Sequence, residues 1–424
     1  MNVLLIGSGG REHALAYKIS LSPLLTRLFI APGNGGTASL GENVELDINT
    51  HAAVTAFCRA EKIDLIVIGP EAPLVGGLAD DLRQAGFDVF GPNKAAAQLE
   101  GSKAFTKELC AEMNIPTAAY AKFDTLEPAL AYIQEHGAPI VIKADGLAAG
   151  KGVTVALNIQ EAEKALKDCF SGSFGAAGHS VIIEEFMQGE EVSFFAISDG
   201  ERFVTLASAQ DHKTAFDGDK GPNTGGMGAY SPAPAMTPEL TARVEKEIIA
   251  PTVRGLMQRG TPFSGVLYAG LILTGEGPKL IEYNARFGDP ECQVLMMRLE
   301  SDLLELLRAS AKGDLRGVVP HWHQDAALCV VMAAKGYPGN YQTGQEIKGI
   351  AQAQANGTKV FHAGTKQDGK ALLSAGGRVL NVTATGPTIT EAQRIAYQGV
   401  AKIDWPGSFF RTDIGWRAIK REKT

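Results

Sequence analysis

LIEYNARFGDPE, Leu280 to Glu291, carries the pattern that decides how the centre of the chain folds. Period-two alternation over Leu280–Phe287 predicts a β-strand. Glu282, Asn284 and Arg286 fall on one face, with Ile281, Tyr283 and Phe287 on the other. An acid, an amide and a guanidinium in line make an odd face for a strand that only meets water. Glu282 and Asn284 are hard oxygen donors about 7 Å apart at i, i+2 by strand geometry. That suits Mg²⁺ or Mn²⁺, which in nucleotide sites takes only one or two protein ligands. Arg286 on the same face can neutralise a carboxylate or a transferring phosphoryl group. A salt-bridged edge strand is the plainer account, but it leaves the amide between the two charges unexplained.

Around this stretch the pattern is antiparallel. VLYAGLIL and PKLIEYNARF form a hairpin, a helical pattern near Glu239 to Arg259 precedes it, and Pro290 opens a helix to about Ala311. Upstream, PIVIKADGLAAGKGVTVAL reads as strand, glycine-rich turn and strand, and SVIIEEFMQGEEVSFFAIS continues the strands. The first hundred residues differ. NVLLIGSGG, RLFIAPGN, DLIVIGPE and DVFGPN are apolar runs ending in Gly or Pro with helices between them, which predicts a parallel sheet with crossover helices. The strand-end loops GSGGRE, APGNGG and GPEAPLVGG should gather along one rim. A final segment has strands at ALCVVMAA, KVFHAGT and GRVLNVTA and a helix from Thr390, with residues 313–324 as the hinge into it.

The expected organisation is thus a parallel α/β domain over residues 1–101, an antiparallel-rich domain over 102–324 with a flap subdomain at about 121–192, and a small α+β domain over 325–424. At 424 residues, 45% hydrophobic and 21% charged, the chain has the composition of an ordinary globular protein. A net charge of −7 gives no footprint for nucleic acid, so anionic ligands must be caught by loop amides, a few lysines or a metal. Five scattered cysteines without a C-x-x-C pair argue against a disulfide framework and for a reducing cytoplasm. No apolar run has the length of a membrane span.

Three further stretches leave two readings each. GSGGRE fails the dinucleotide fingerprint because Glu12 stands where its third glycine belongs. It remains a strand-to-helix turn whose amides, with Arg11, suit a phosphate, or simply a tight turn. In IKADGLAAGKGV, Lys143 ends one strand and the loop from Gly146 to Gly152 is either a flap over phosphates or a flexible hairpin. In VIIEEFMQGEEVS, Glu185 to Met187 offers a backbone hinge for adenine and Glu191 a partner for ribose hydroxyls, unless this is a charged turn.

GSGGREHALA, GPEAPLVGGLAD, KADGLAAGKGV, AQDHK…GPNTGGMGAYSP and NARFGDPECQ occur here in that order. Together they resemble the phosphoribosylamine–glycine ligase (glycinamide ribonucleotide synthetase) family of the ATP-grasp superfamily, from end to end. The resemblance implies a central ATP-grasp fold and a carboxylate–amine ligase of purine synthesis that uses ATP with Mg²⁺ or Mn²⁺. It implies that Lys103, Lys143, Gly150, Lys151 and Gly152 lie along the phosphates, and that Glu184, Glu185, Phe186, Met187 and Glu191 hold adenosine. It assigns the amine substrate to Gly9, Gly10, Arg11, Glu12, Glu71, Pro73 and the loop Asn223, Thr224, Gly225, Gly226 and Met227. Arg286, Lys213 and Asp211 are the implied catalytic groups, with Glu282 and Asn284 as metal ligands. It further implies small-molecule substrates, no nucleic-acid or membrane partner, a monomer, and a cytoplasmic enzyme. Many superfamily members carry another acid on the preceding strand. Val266 to Thr274 has none, so no acid is supplied there for a second tightly held metal. Another ATP-grasp ligase or carboxylase would share the central domain but differ in the N-terminal and NTGGMG loops. A nicotinamide oxidoreductase is opposed by the failed fingerprint.

Overall fold

The computed structural model describes residues 1–147, 152–173 and 178–423. Its first part is a five-stranded parallel sheet in the order Glu42–Asn43, Arg27–Pro32, Asn2–Gly7, Leu65–Ile68, Asp88–Phe90. Val3 and Leu5 enter one apolar cluster and Leu4 and Ile6 another, so the strand is buried on both faces, as crossover helices require. The strand order reverses beside Asn2–Gly7, and ligands of such sheets sit at that crevice.

The central part holds two antiparallel sheets. One runs Phe203–Thr205, Glu190–Asp199, Ser264–Thr274, Gly277–Asn284. The other, the flap sheet, runs Tyr120–Phe123, Val181–Glu185, Ile140–Ala144, Val153–Ala156. The expected hairpin is present, with Lys143 paired to Val153. The strands of VIIEEFMQGEEVSFFAIS, continuous in sequence, separate here into different sheets at the turn 186–189.

A six-stranded sheet closes the chain and draws strands from both sides of residue 325. Ala326–Ala334 lies between Arg378–Gly386 and Gly228–Ser231, with Gly228 opposite Val330. The segment 212–227 is thereby anchored at both ends, by Gln210–Asp211 and Gly228–Ser231, in the sheet that carries the C-terminal segment.

One local expectation is corrected. The helix from Pro290 to Ala311 is two helices, Glu291–Arg298 and Leu303–Ala311. Leu299 turns extended, and the Asp302 carboxylate caps the second helix by accepting from the Leu304 amide at 2.8 Å. The segment 313–324 is laced down rather than free: Arg298 donates to the Asp325 and His323 carbonyls at 2.7 and 3.2 Å, and the Glu300 amide reaches the His321 carbonyl at 2.9 Å.

Candidate active site

The strand that opened the reading ends at Asn284, not Phe287, and it contains a bulge. Gly270 pairs with Glu282 and Leu271 with Leu280, which leaves Ile281 as an extra residue. The alternation therefore resets. Leu280, Tyr283 and Ala285 enter one apolar cluster, whereas Ile281 is half-buried outside it. The expectation that Ile281 shares a face with Tyr283 is corrected by that inserted residue. The Ile281 carbonyl accepts from Lys143 Nζ at 3.2 Å.

Lys143 comes from the flap sheet. Its Nζ lies 2.7 Å from Glu184, whose other oxygen is 3.1 Å from Lys107 Nζ, and all three side chains are buried. The Glu184 carboxylate is thus a bridge between two lysines. Lys103 donates to the Gly146 carbonyl at 3.0 Å, while its amide donates to Asp145 at 2.6 Å. Burial pushes the Lys103 ammonium pKa down, and Glu282 opposes that fall. Lys213 pairs with Glu191 at 2.6 Å. Its burial is outweighed by Glu191, Asp211 and Glu282, which hold its pKa well above the ordinary lysine range. Glu282 therefore sits within the electrostatic reach of lysines on two different elements.

Asp211 pairs in strand register with Ala229. Burial, with Glu291 and Glu191 adding and Lys213 opposing, raises its carboxyl pKa to about 7. Glu291 was not anticipated, although it ends the opening stretch. It is buried and accepts from Tyr268 Oη at 2.7 Å and Ser193 Oγ at 3.3 Å. Lys107 was also missed, although it stands one helical turn after Lys103.

Arg286 follows the strand Gly277–Asn284 and docks on the parallel sheet's rim. Nε lies 3.0 Å from Glu71 and Nη2 2.9 Å from Glu100, while Nη1 donates to the Phe287 carbonyl at 3.2 Å. Burial opposes its charge, but Glu100 and Glu71 outweigh it and raise the guanidinium pKa. Glu71 begins the short helix that also contains Pro73. The rim loops gather as expected: Glu12 accepts from the Gly9 amide at 2.7 Å, and its carboxylate fills the space where a Cβ on Gly7 or Gly69 would stand.

That packing changes the reading of GSGGRE. Arg11 Nε is 2.6 Å from Glu12, its Nη1 donates to the Phe287 carbonyl at 3.2 Å, and its own amide donates to Asp289 at 3.3 Å. The amides of Gly9 and Arg11 are thus satisfied by carboxylates, and Arg11 is buried. Gly10 packs against the side-chain amides of Asn381 and Gln293. In the 223–227 loop, Asn223 and Gly225 are exposed, Thr224 is half-buried, and Met227 is fully buried in the C-terminal core. Its backbone is engaged as well, the N–H donating to the His212 carbonyl at 2.8 Å and the carbonyl accepting from the Val331 amide at 3.1 Å.

At the other end, residues 185–188, 274–276 and Lys279 line a cavity of about 260 Å³. Phe186 and Met187 are half-buried there, and the Glu185 amide donates to the Ala119 carbonyl at 3.0 Å. Gly150 and Lys151 lie outside the described residues; the Gly152 carbonyl accepts from the Ala144 amide at 2.8 Å. Among the described residues no three His, Cys, Asp or Glu side chains cluster as a metal cage. Glu282 and Asn284 fit a cation that completes its shell with phosphates and water.

Family models for phosphoribosylglycinamide synthetase match almost the whole chain: the N domain at residues 1–100, the ATP-grasp (A) domain at 101–292 and the C domain at 327–417. A phosphoribosylamine–glycine ligase of Mesorhizobium japonicum is 62% identical over 423 residues, covering 100% of both chains. The chain belongs to the phosphoribosylglycinamide synthetase family. A crystal structure of phosphoribosylamine–glycine ligase from Thermotoga maritima matches with a TM-score of 0.86 at 33% identity, over 98% of this chain and 100% of that one. The biotin carboxylase domain of a Hydrogenobacter thermophilus 2-oxoglutarate carboxylase, solved with MgADP and bicarbonate, matches over 96% of this synthetase-family chain and 91% of its own. Its TM-score is 0.73 at 16% identity, a likeness of fold alone.

Proposed function

We propose that this chain joins glycine to 5-phosphoribosylamine at the expense of ATP, through glycyl phosphate, in de novo purine biosynthesis. The products are N1-(5-phosphoribosyl)glycinamide, ADP and phosphate. A carboxylate is a poor electrophile until one of its oxygens becomes a leaving group. Phosphoryl transfer to that oxygen needs positioning and positive charge rather than a protein nucleophile. The observation that carries the reading is the buried bridge of Lys143 and Lys107 on Glu184, with Lys143 Nζ also on the Ile281 carbonyl next to Glu282.

Lys103 and Lys143 line the phosphates, the turn 185–187 holds adenine over the 260 Å³ cavity, and Glu191 takes the ribose. Mg²⁺ or Mn²⁺, held by Glu282 and Asn284, supplies charge neutralisation at the phosphates. Arg286 carries positive charge from the metal strand to the rim, where Glu71 fixes its plane, and orients the glycine carboxylate. The Asn223–Gly226 loop and the rim at Gly9–Glu12 take the phosphoribosylamine. When its nitrogen attacks the acyl carbon, the C–O bond to phosphate breaks and the nitrogen loses a proton. Asp211 and Lys213 border that point.

The same reading makes the enzyme a cytoplasmic monomer acting on small molecules, without nucleic-acid or membrane partners. Its five cysteines are free and buried, and no helix among the described residues is long and apolar enough to cross a membrane. Phosphate release from ATP should require both glycine and phosphoribosylamine. Release that instead depends on bicarbonate or on a different amine would replace this reading with another ATP-grasp activity.

A further inference from the structure

Arg378 begins the long strand Arg378–Gly386 of the C-terminal sheet and reaches out of that sheet toward the substrate loop. Its Nη1 donates to the carbonyls of Gly225 at 2.6 Å, Gly226 at 3.3 Å and Asp289 at 2.5 Å. Its Nη2 lies 3.7 Å from the Asp289 carboxylate. The amide of Gly225 donates to Tyr337 Oη at 3.1 Å, so two C-terminal side chains hold this one residue through its N–H and its C=O. Gly226 has φ +112°, and a Cβ there would stand 2.5 Å from Pro290 Cδ, so the loop can lie this close to the turn only as glycine. Asp289 in turn accepts from the Arg11 amide at 3.3 Å and from Gln293 Nε2 at 2.8 Å.

Three chain segments therefore meet on one guanidinium: the 223–227 loop, the turn following the metal strand, and, through Asp289, the start of the first helix. Nothing in the ATP-side cluster of Lys103, Lys143 and Glu184 touches it. We infer that Arg378, with Tyr337, is a positioning residue that fixes the 223–227 loop against the turn after the metal strand, so that the acyl phosphate is met by the amine and not by water. This rests on the ligase reading above. The chemistry gives the device its purpose. A loop held away from its place lets water attack the acyl carbon, returning glycine and releasing phosphate with no amide formed.

The test measures phosphate and product together in wild type, Arg378→Met, Arg378→Lys and Tyr337→Phe, with thermal unfolding as a control for folding. Wild-type protein making product and phosphate in equal amounts upholds the ligase reading on its own, and failure to make product overturns that reading before Arg378 is considered. Losing hydrogen bonds from a charged donor should lower product turnover in Arg378→Met by about 10- to 100-fold. Phosphate per product should rise above unity while the KM for ATP is unchanged. Arg378→Lys should fall between wild type and Arg378→Met. Tyr337→Phe, which removes one hydroxyl, should shift the ratio in the same direction by less, and it decides the matter if Arg378→Met does not fold. A ratio that stays at unity in the folded variants, or a loss of phosphate and product in proportion with a raised KM for ATP, overturns the inference.

Discussion

The Glu184 bridge makes an ordering of stabilities that the sequence alone would not suggest. Glu184 lies 2.7 Å from Lys143 and 3.1 Å from Lys107, and all three side chains are no more than 4% exposed. Glu184→Gln leaves two buried ammonium groups without their carboxylate, and breaking a buried ion pair from one side costs about 3–5 kcal/mol. Lys143→Met leaves Glu184 with Lys107 as its partner and removes a repulsion between the two lysines. It should cost less than about 2 kcal/mol, the scale of one charged hydrogen bond less that relief. Lys107→Met should cost a similar amount, raised slightly by the loss of its bond to Thr117 Oγ1 at 2.8 Å. Urea unfolding of the free proteins at neutral pH gives the stabilities, and calorimetric titration with MgATP gives the affinities. Glu184→Gln should be the least stable, while Lys143→Met should lose nucleotide affinity far more than Lys107→Met. Equal stabilities across the three, or a Lys107→Met protein that binds ATP as poorly as Lys143→Met, would refute the bridge.

Glu282→Gln should abolish turnover with little change in unfolding midpoint, because the side chain is half-buried and outside the apolar clusters; near-normal rates at ordinary Mg²⁺ would remove it from the site. Arg11→Ala should weaken phosphoribosylamine binding and also cost stability of about 3 kcal/mol, since Glu12 loses its buried cation; an unchanged urea midpoint would contradict that strut. The Asp211 carboxyl titrates at about 7, above its ordinary value, so the folded state holds the proton more tightly than the unfolded one. Its contribution is therefore complete at acid pH and lost as pH rises from the unfolded carboxyl's value toward 7, so wild type should lose stability relative to Asp211→Asn between about pH 4 and 7 and stay level above that. A constant difference in melting temperature across that range would contradict the shift.

The parallel sheet and the two hairpins were legible because apolar runs of strand length, punctuated by Gly and Pro, leave few alternatives. The strand that carries Glu282 and Asn284 was legible for a related reason, and it pairs with Ser264–Thr274 as a hairpin. The bulge at Ile281 was not, since an inserted residue shows only in the pairing with the neighbouring strand, where Glu282 faces Gly270 and Leu280 faces Leu271. The pairing of Gly228–Ser231 with Ala326–Ala334 joins segments too distant in sequence for any local pattern to show. Arg11 misled most. Its type and place suit a phosphate, and only the fold brings Glu12 back over Gly7 and Gly69 to occupy it. The pairing of Lys143 and Lys107 on Glu184 was hidden likewise, because a buried carboxylate and a solvated one look the same in a sequence.

Direct phosphoryl transfer to glycine is the central claim, and the fate of a carboxylate oxygen tests it most directly. Glycine labelled with ¹⁸O in its carboxylate is turned over with ATP, Mg²⁺ and phosphoribosylamine in unlabelled water, and the inorganic phosphate is analysed by mass. If glycyl phosphate forms, each phosphate released carries one labelled oxygen, because that oxygen leaves with the phosphoryl group when the amine attacks. Phosphate free of label alongside normal product would contradict the account.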